Sequence, residues 1–349
     1  MTVRHFLAAF LTGLLLAGGC KTAPRAGTFA PRLGDEIVVA GEFVHTGTPV
    51  VLWMDPGGYD AYRVERRFST FDKSDWQDSH AAETNLTRPN RYGLRAEPLT
   101  TNEVERVRGG GWDLPLLQRV VDQFVIHYDD AGTSRRCFEI LQDHRDLSVH
   151  FMLDLDGTIY QTLDLKERAF HVGNSNTRSV GVEIANVGAY APGSTNPLAQ
   201  WYEHTNGGTT ITIPKRYGDG GVRTKGFVGH PARAEMVAGT IHGQELRQYD
   251  FTPEQYDALI KLTATLCKVF PRIECKYPTD AAGNLINGKL SDQDLANFHG
   301  VLGHYHSTTE KIDPGPAFDW ERVIRGARMI LNNGVTPEVA ATLAGKRGK

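Results

Sequence analysis

Hydrophobic and polar positions change their spacing several times along this chain, and each change predicts an element. From Val120 to Ile126 the apolar residues run almost without interruption, which predicts a buried strand ending at His127 and projecting that side chain at the sheet edge. Beyond Leu147 the spacing turns to two, with Val149, Phe151, Leu153 and Leu155 on one face and Ser148, His150 and Met152 on the other. Asp156 and Gly157 have the chemistry of a two-residue hairpin turn, which returns the chain through Thr158 to Leu163. Alternation resumes after Ser179, where Val180, Val182 and Ile184 interleave with Gly181 and Glu183. A carboxylate in so apolar a strand is either salt-bridged or edge-exposed, or it is a general base facing a cleft.

Helical spacing enters at Thr252. Threonine, proline in the first turn and Gln255 form a capping-box start, and Tyr256, Leu259, Ile260, Leu266 and Phe270 continue it as a core stripe. Near the N-terminus, apolar stretches at 36–40 and 50–53 flank Thr46, Gly47 and Thr48 and suggest a hairpin, followed by a polar region at 72–111. Residues 186–249 form a long irregular region rich in glycine and aromatic residues. It follows the strand that carries Glu183 and should rise beside that residue's cleft, and loops of such length inside a compact domain are often functional. His204, His230 and His242 lie in it, and neither His45 nor His80 has metal-like partners nearby in sequence.

The first residues decide where such a protein works. Arg4 and His5 precede an apolar segment from Phe6 to Leu16, too short for a stable membrane span, and small residues then lead to Cys20. This resembles a lipoprotein signal, with Cys20 as the lipidated residue. Lys21, rather than aspartate, after the cysteine favours the outer membrane, facing the periplasm. Composition changes the picture only by exclusion: charged residues make up 23%, the formal net charge is −3, and no basic stripe offers itself to nucleic acid. Of the remaining cysteines, Cys267 and Cys275 are the expected disulfide pair, and Cys137 reads as a packed thiol.

Chemistry concentrates at His304-Tyr305-His306 and, after a short polar loop, Lys311 and Asp313. An imidazole and a carboxylate joined by a loop are two thirds of a catalytic zinc site, and His127 is a candidate for the third ligand. Together with the motifs VIHYDD, LSVHFMLDLDGTIYQTLD, RAFHVGN, RSVGVEIAN and GHYHSTTEKIDPGPAFDW, these residues closely resemble the zinc-dependent N-acetylmuramoyl-L-alanine amidases of type 2, which share a fold with peptidoglycan recognition proteins. The resemblance runs from about Leu116 to Ile330.

It implies an α/β fold, a mixed central β-sheet flanked by helices, and hydrolysis of the amide between N-acetylmuramic acid and L-alanine in peptidoglycan or muropeptides. It makes His127, His304 and Asp313 the ligands of Zn²⁺, Glu183 the base that activates water, and Lys311 the stabiliser of the oxyanion. His150 and His171 would face the substrate. The spacer between the second histidine and the aspartate is one residue shorter than the family's usual one, so His306 competes with His304. The expected organisation is a lipoprotein signal at 1–20, a tether at 21–32, a partly β extension at 33–111, a zinc amidase domain at 112–333 with an insertion at 186–249, and a tail at 334–349. The competing reading is a non-catalytic peptidoglycan-binding lipoprotein.

Overall fold

A computed structural model describes residues 30–63, 91–205 and 207–333. The signal segment with Cys20, most of the tether, His80 and the tail lie outside the described residues. The first strands are β1 (Glu36–Val39), β2 (Glu42–His45) and β3 (Val50–Leu52). Ala40 and Gly41, both at positive φ, make a tight turn that pairs β1 with β2 in antiparallel register. The hairpin expected between 36–40 and 50–53 is therefore corrected. The turn comes earlier, and β3 instead joins the central sheet, parallel to the strand at Ile159–Gln161.

The chain continues through β4 (Tyr92–Leu94), α1 (Thr101–Arg108), α2 (Leu114–Val120), β5 (Gln123–Tyr128), α3 (Ser134–Glu139), β6 (Phe151–Leu153), β7 (Ile159–Gln161), β8 (Glu167–Ala169) and β9 (Ser179–Ile184). After these come α4 (Leu198–Trp201), β10 (Tyr202–Thr205), β11 (Gly208–Ile211), β12 (Val237–Ile241), β13 (Gln244–Gln248), α5 (Pro253–Val269), α6 (Asp292–Asn297), β14 (Gly300–Gly303) and α7 (Trp320–Asn333). Six strands form the central sheet in the order β14-β5-β9-β6-β7-β3. The run from β14 to β6 is parallel and β7 is antiparallel to β6, so the sheet is mixed and flanked by helices, as the family resemblance implies.

Alternation decides which face each side chain takes. Val180, Val182 and Ile184 of β9 and Phe124 and Ile126 of β5 pack with Leu259, Leu262 and Leu266 of α5 and Val323 and Ile324 of α7. Burying each such side chain contributes about 1.5–3 kcal/mol. Helix α5 starts as expected: the Gln255 N–H donates to Thr252 Oγ1 at 3.0 Å and the Thr252 N–H donates to Gln255 Oε1 at 2.9 Å.

Strict alternation holds in β6 only over Phe151–Leu153. Val149 packs with Met152, Phe138 and Leu141 on the opposite side of the sheet from Phe151, because the Ser148 N–H is drawn to the Phe170 carbonyl before β6 begins. The β6–β7 turn also differs from expectation. The Asp154 N–H bonds to the Thr158 carbonyl at 2.9 Å, enclosing three residues, with Gly157 at φ +81 supplying the left-handed position.

The insertion is more regular than the sequence suggests. It forms two hairpins: β10–β11 lies over a small core that includes Val187, Trp201, Tyr202, Ile211 and Tyr249, and β12–β13 joins the main core through Ile241 and Leu246. Cys267 and Cys275 carry free thiols, not the expected disulfide, yet they lie side by side: the hydrogen bond between them raises the pKa of Cys267 and lowers that of Cys275. Among the described residues, no helix is long and apolar enough to cross a membrane.

The extension is woven into this domain. β4 pairs with β8, and the fully buried Arg95 spends its guanidinium on the carbonyls of Leu165, Asn176, Thr177 and Ser179, with His150 packed beside it. Burial lowers its pKa to about 9. Replacing it with methionine would leave several buried carbonyls unpaired, so Arg95→Met should lower stability by about 3 kcal/mol or more. Arg95→Lys, which keeps the charge and loses the fork, should fall between. Urea denaturation measures both, and a Met variant within about 0.5 kcal/mol of the parent would show that the extension is only loosely attached.

Candidate metal centre

The parallel half of the sheet brings distant segments to one end. β5 carries His127, and its neighbour β9 places Glu183 directly opposite in register. On the other side of β5, β14 runs into a 3-10 turn at His304–His306. The following loop returns Asp313, tied to that turn by the Tyr305 N–H donating to the Asp313 carbonyl at 3.1 Å.

Three donor atoms converge there. His127 Nδ1 lies 2.8 Å from Asp313 Oδ2, His304 Nδ1 lies 3.1 Å from the same oxygen, and the two nitrogens are 3.0 Å apart. His127 and Asp313 are almost wholly buried. Burial and the neighbouring His304 lower the pKa of His127 to about 4, so its ring is neutral, the form in which imidazole ligates metals. Burial would raise the Asp313 pKa, but the two histidines outweigh it and hold the carboxyl below its usual range.

Proton placement tests whether this group suits a cation. With protons on both Nδ1 atoms, two N–H groups face each other at 3.0 Å; with fewer, at least one lone pair faces the carboxylate. A cation among the three atoms removes the conflict. The contact on the far side of His127 agrees, since its Nε2–H can donate to His171 Nδ1 at 3.0 Å, and His171 Nε2–H can donate to Ser179 Oγ at 3.2 Å. That assignment, inferred from the partners, leaves His127 Nδ1 free to ligate. Tetrahedral zinc bonds of about 2.1 Å would separate the donors by about 3.4 Å, a few tenths of an ångström more than here.

A cleft of ≈ 280 Å³ opens beside the group, lined in part by Glu183, His171 and Lys311. Glu183 Oε2 is buried without a hydrogen-bond partner among the described residues. Burial, then the carboxylates of Asp313 and Asp129, push its pKa well above the usual glutamate range. Lys311 is half-buried, and its loop is held by His242, whose Nε2–H donates to the Lys311 carbonyl at 2.9 Å.

Several predicted residues have other duties. His150 does not reach the cleft: it is fully buried between Arg95, the Glu167 carbonyl and the Gly181 N–H, and burial followed by Arg95 lowers its pKa to about 3. Its substrate-facing assignment is corrected, because Arg95 and the chain around Leu165 and Thr177 close over it. His171 does line the cleft, and it also touches His127. Gly181 makes room for it, since a Cβ there would lie 2.5 Å from the His171 ring. His306 is buried away from the group, its Nδ1 accepting the Gly303 N–H and its Nε2–H donating to the Ile286 carbonyl, each at 2.9 Å. His304 alone of the pair meets His127 and Asp313.

The remaining histidines keep to local contacts. His204 bonds the Tyr249 and Thr209 hydroxyls, and His230 bonds the Thr209 carbonyl. His45 corrects its reading as a residue without partners. It sits with Asp35 and Glu36, the second group of possible metal donors among the described residues, but this one is partly exposed and Glu36 caps the backbone of Leu33 and Gly34. Sequence reasoning missed Asp129, Asp130 and Arg145, which also line the cleft. The two aspartates were findable, because they follow His127 at the carboxyl end of a parallel strand, where α/β sites collect. Arg145 was not, since it follows an irregular π-turn at Ile140–His144.

Comparison with known proteins adds a family. The sequence profile described as N-acetylmuramoyl-L-alanine amidase matches residues 117–316, more than half of the chain. No curated protein matches it. Among solved structures, an AmpD derivative is 17% identical with a TM-score of 0.32, covering 68% of this chain and 89% of its own. The amidase AmiD from E. coli, in complex with anhydro-N-acetylmuramic acid-L-Ala-D-gamma-Glu-L-Lys, is 17% identical with a TM-score of 0.33, covering 59% and 57%. The endolysin amidase LysCS from Clostridium intestinale is 14% identical with a TM-score of 0.31, covering 61% and 86%. By the match to residues 117–316, the chain belongs to the type 2 family of N-acetylmuramoyl-L-alanine amidases and is a peptidoglycan amidase.

Proposed function

We propose that this amidase is zinc-dependent and lipid-anchored, and that it cuts between N-acetylmuramic acid and L-alanine in peptidoglycan or muropeptides. The observation that carries the reading is the convergence of His127 Nδ1, His304 Nδ1 and Asp313 Oδ2 within 3.1 Å of one another, in a cleft shared with an unpartnered Glu183. Two imidazoles and one carboxylate suit zinc and leave a coordination position for substrate or water. Zinc bound there would polarise the scissile carbonyl and lower the pKa of water to about 7.

The chain's own residues do the rest. Glu183 takes a proton from the attacking water and delivers it to the leaving amine, a task suited to a carboxyl whose proton affinity is raised. Lys311 supplies positive charge where the oxyanion develops, and a single such donor contributes about 3 kcal/mol. His171 fixes the ring of His127 through its second nitrogen. The anchoring part of the proposal rests on the apolar segment at 6–16 and on Cys20.

Three measurements test this reading. His304→Ala should lose both bound zinc and muramoyl-peptide hydrolysis. His306→Ala should keep stoichiometric zinc and lose stability, because its two backbone partners are left unsatisfied, by about 1–3 kcal/mol. The reverse pattern in metal analysis would exchange the two assignments. Glu183→Gln preserves shape and removes the base, so zinc should persist while turnover falls at least about a hundredfold. Near-normal turnover would place the base elsewhere. Cys20→Ser should release the protein from membranes or leave it unprocessed, since acyl chains supply the burial that anchors it, and unchanged fractionation and processing would remove the anchor from the proposal.

A further inference from the structure

The insertion encloses a second hollow of ≈ 350 Å³, at the small end of the range for ligand sites, lined in part by Tyr190, Tyr202, His204, Arg247 and Tyr249. Its lining touches that of the cleft beside the donor group. The Tyr190 hydroxyl donates to Asp130 Oδ1 at 3.2 Å, and Asp130 lines that cleft. Gly188 lets the chain pass this close: it sits at φ +91, and a Cβ there would stand 2.9 Å from Asp130 Oδ1 and 3.0 Å from the Tyr128 ring.

Inside the hollow, Tyr202 and Tyr249 stack with centroids 4.0 Å apart and ring planes 25° from parallel. His204 fixes the Tyr249 hydroxyl and is itself fixed by Thr209 at 2.9 Å. Arg247 is held only by its backbone, which exchanges two hydrogen bonds with Tyr190 at 2.9 and 2.8 Å. Its exposed guanidinium has no hydrogen-bond partner among the described residues, so the hollow offers the half-buried Tyr190 ring, backed by the buried Tyr202–Tyr249 pair, and one uncommitted donor group.

Resting on the activity proposed above, we propose that this hollow is a glycan subsite, which takes an N-acetylhexosamine unit of the strand next to the muramoyl residue being cut. The chemistry of the walls chooses this occupant. A sugar ring is uncharged, presents an apolar face to aromatic side chains, and offers hydroxyl and acetamido oxygens to a guanidinium. The peptide stem carries several carboxylates, whereas Arg247 is the single cation among the residues lining the hollow and the Asp130 carboxylate stands against Tyr190 at its edge.

The test titrates full-length protein with tri-N-acetylchitotriose and, separately, with the free peptide L-Ala-D-γ-Glu-L-Lys. The parent should bind the trisaccharide, and Arg247→Ala should weaken that binding at least about fivefold, as loss of a charged hydrogen-bond donor predicts. Arg247→Gln, closer in length, serves if the alanine variant melts early. With zinc present, kcat/KM on polymeric peptidoglycan should fall at least about fivefold further than on a soluble muramoyl-tripeptide. No trisaccharide binding by the parent, equal affinity in the variants, equal losses on the two substrates, or binding of the peptide in place of the sugar would each overturn the subsite. If neither substrate is hydrolysed, the proposed activity fails, while the trisaccharide titration still decides the subsite.

Discussion

Parallel register is the constraint on which the rest depends. In β14, β5 and β9, neighbouring strands run the same way, so their carboxyl ends arrive together, and His304, His127 and Glu183 meet without any long loop having to find its place. Only Asp313 comes from a loop, and a backbone hydrogen bond from Tyr305 pins it to the turn that carries His304. Side-chain periodicity then separates duties by face. The residues of β9 that pack on α5 and α7 alternate with Gly181 and Glu183, so one strand serves the core and the cleft at once.

Behind the donor group stands a column of buried polar contacts. Arg95 holds the start of β9 at the Ser179 carbonyl, the Ser179 hydroxyl meets His171, for which Gly181 leaves space, and His171 meets the second nitrogen of His127. Inside a low-dielectric interior such contacts specify position strongly, because any unpaired member is costly. A residue from the extension therefore reaches within two imidazoles of the donor group, although no motif advertises it.

What the sequence disclosed follows from the range of each signal. The faces of β5 and β9 and the cap of α5 were legible because periodicity encodes them locally, and the family resemblance brought His127, Asp313 and Glu183 together with one of the two histidines at 304 and 306. The β1–β2 turn was passed over, since an Ala-Gly pair at positive φ is a weak signal beside Thr-Gly-Thr. The family resemblance placed His150 on the cleft, whereas the alternation around it stops at Phe151, and nothing local announces that Ser148 bonds to the chain at Phe170 instead. His304 and His306 stayed in competition because the turn between them is 3-10, and only its fold points one ring at the donors and the other at Ile286. Arg95 was invisible for the same reason. Its acceptors are backbone carbonyls up to 84 positions away, which leave no mark on composition or spacing.

The two edges of the central sheet are its first and last strands in chain order, β3 and β14. As the chain is made, β3 must wait for β7, more than a hundred residues later, and the edge of β5 stays open until β14 arrives. Pairings of such separation form slowly, and open edges invite wrong partners. Two of the three converging donor residues lie beyond β14, so a chain interrupted anywhere before it holds His127 alone. On the zinc assignment proposed above, capture of an ion by this group would report that the sheet has been finished, and would tighten the last strand to the first-formed core.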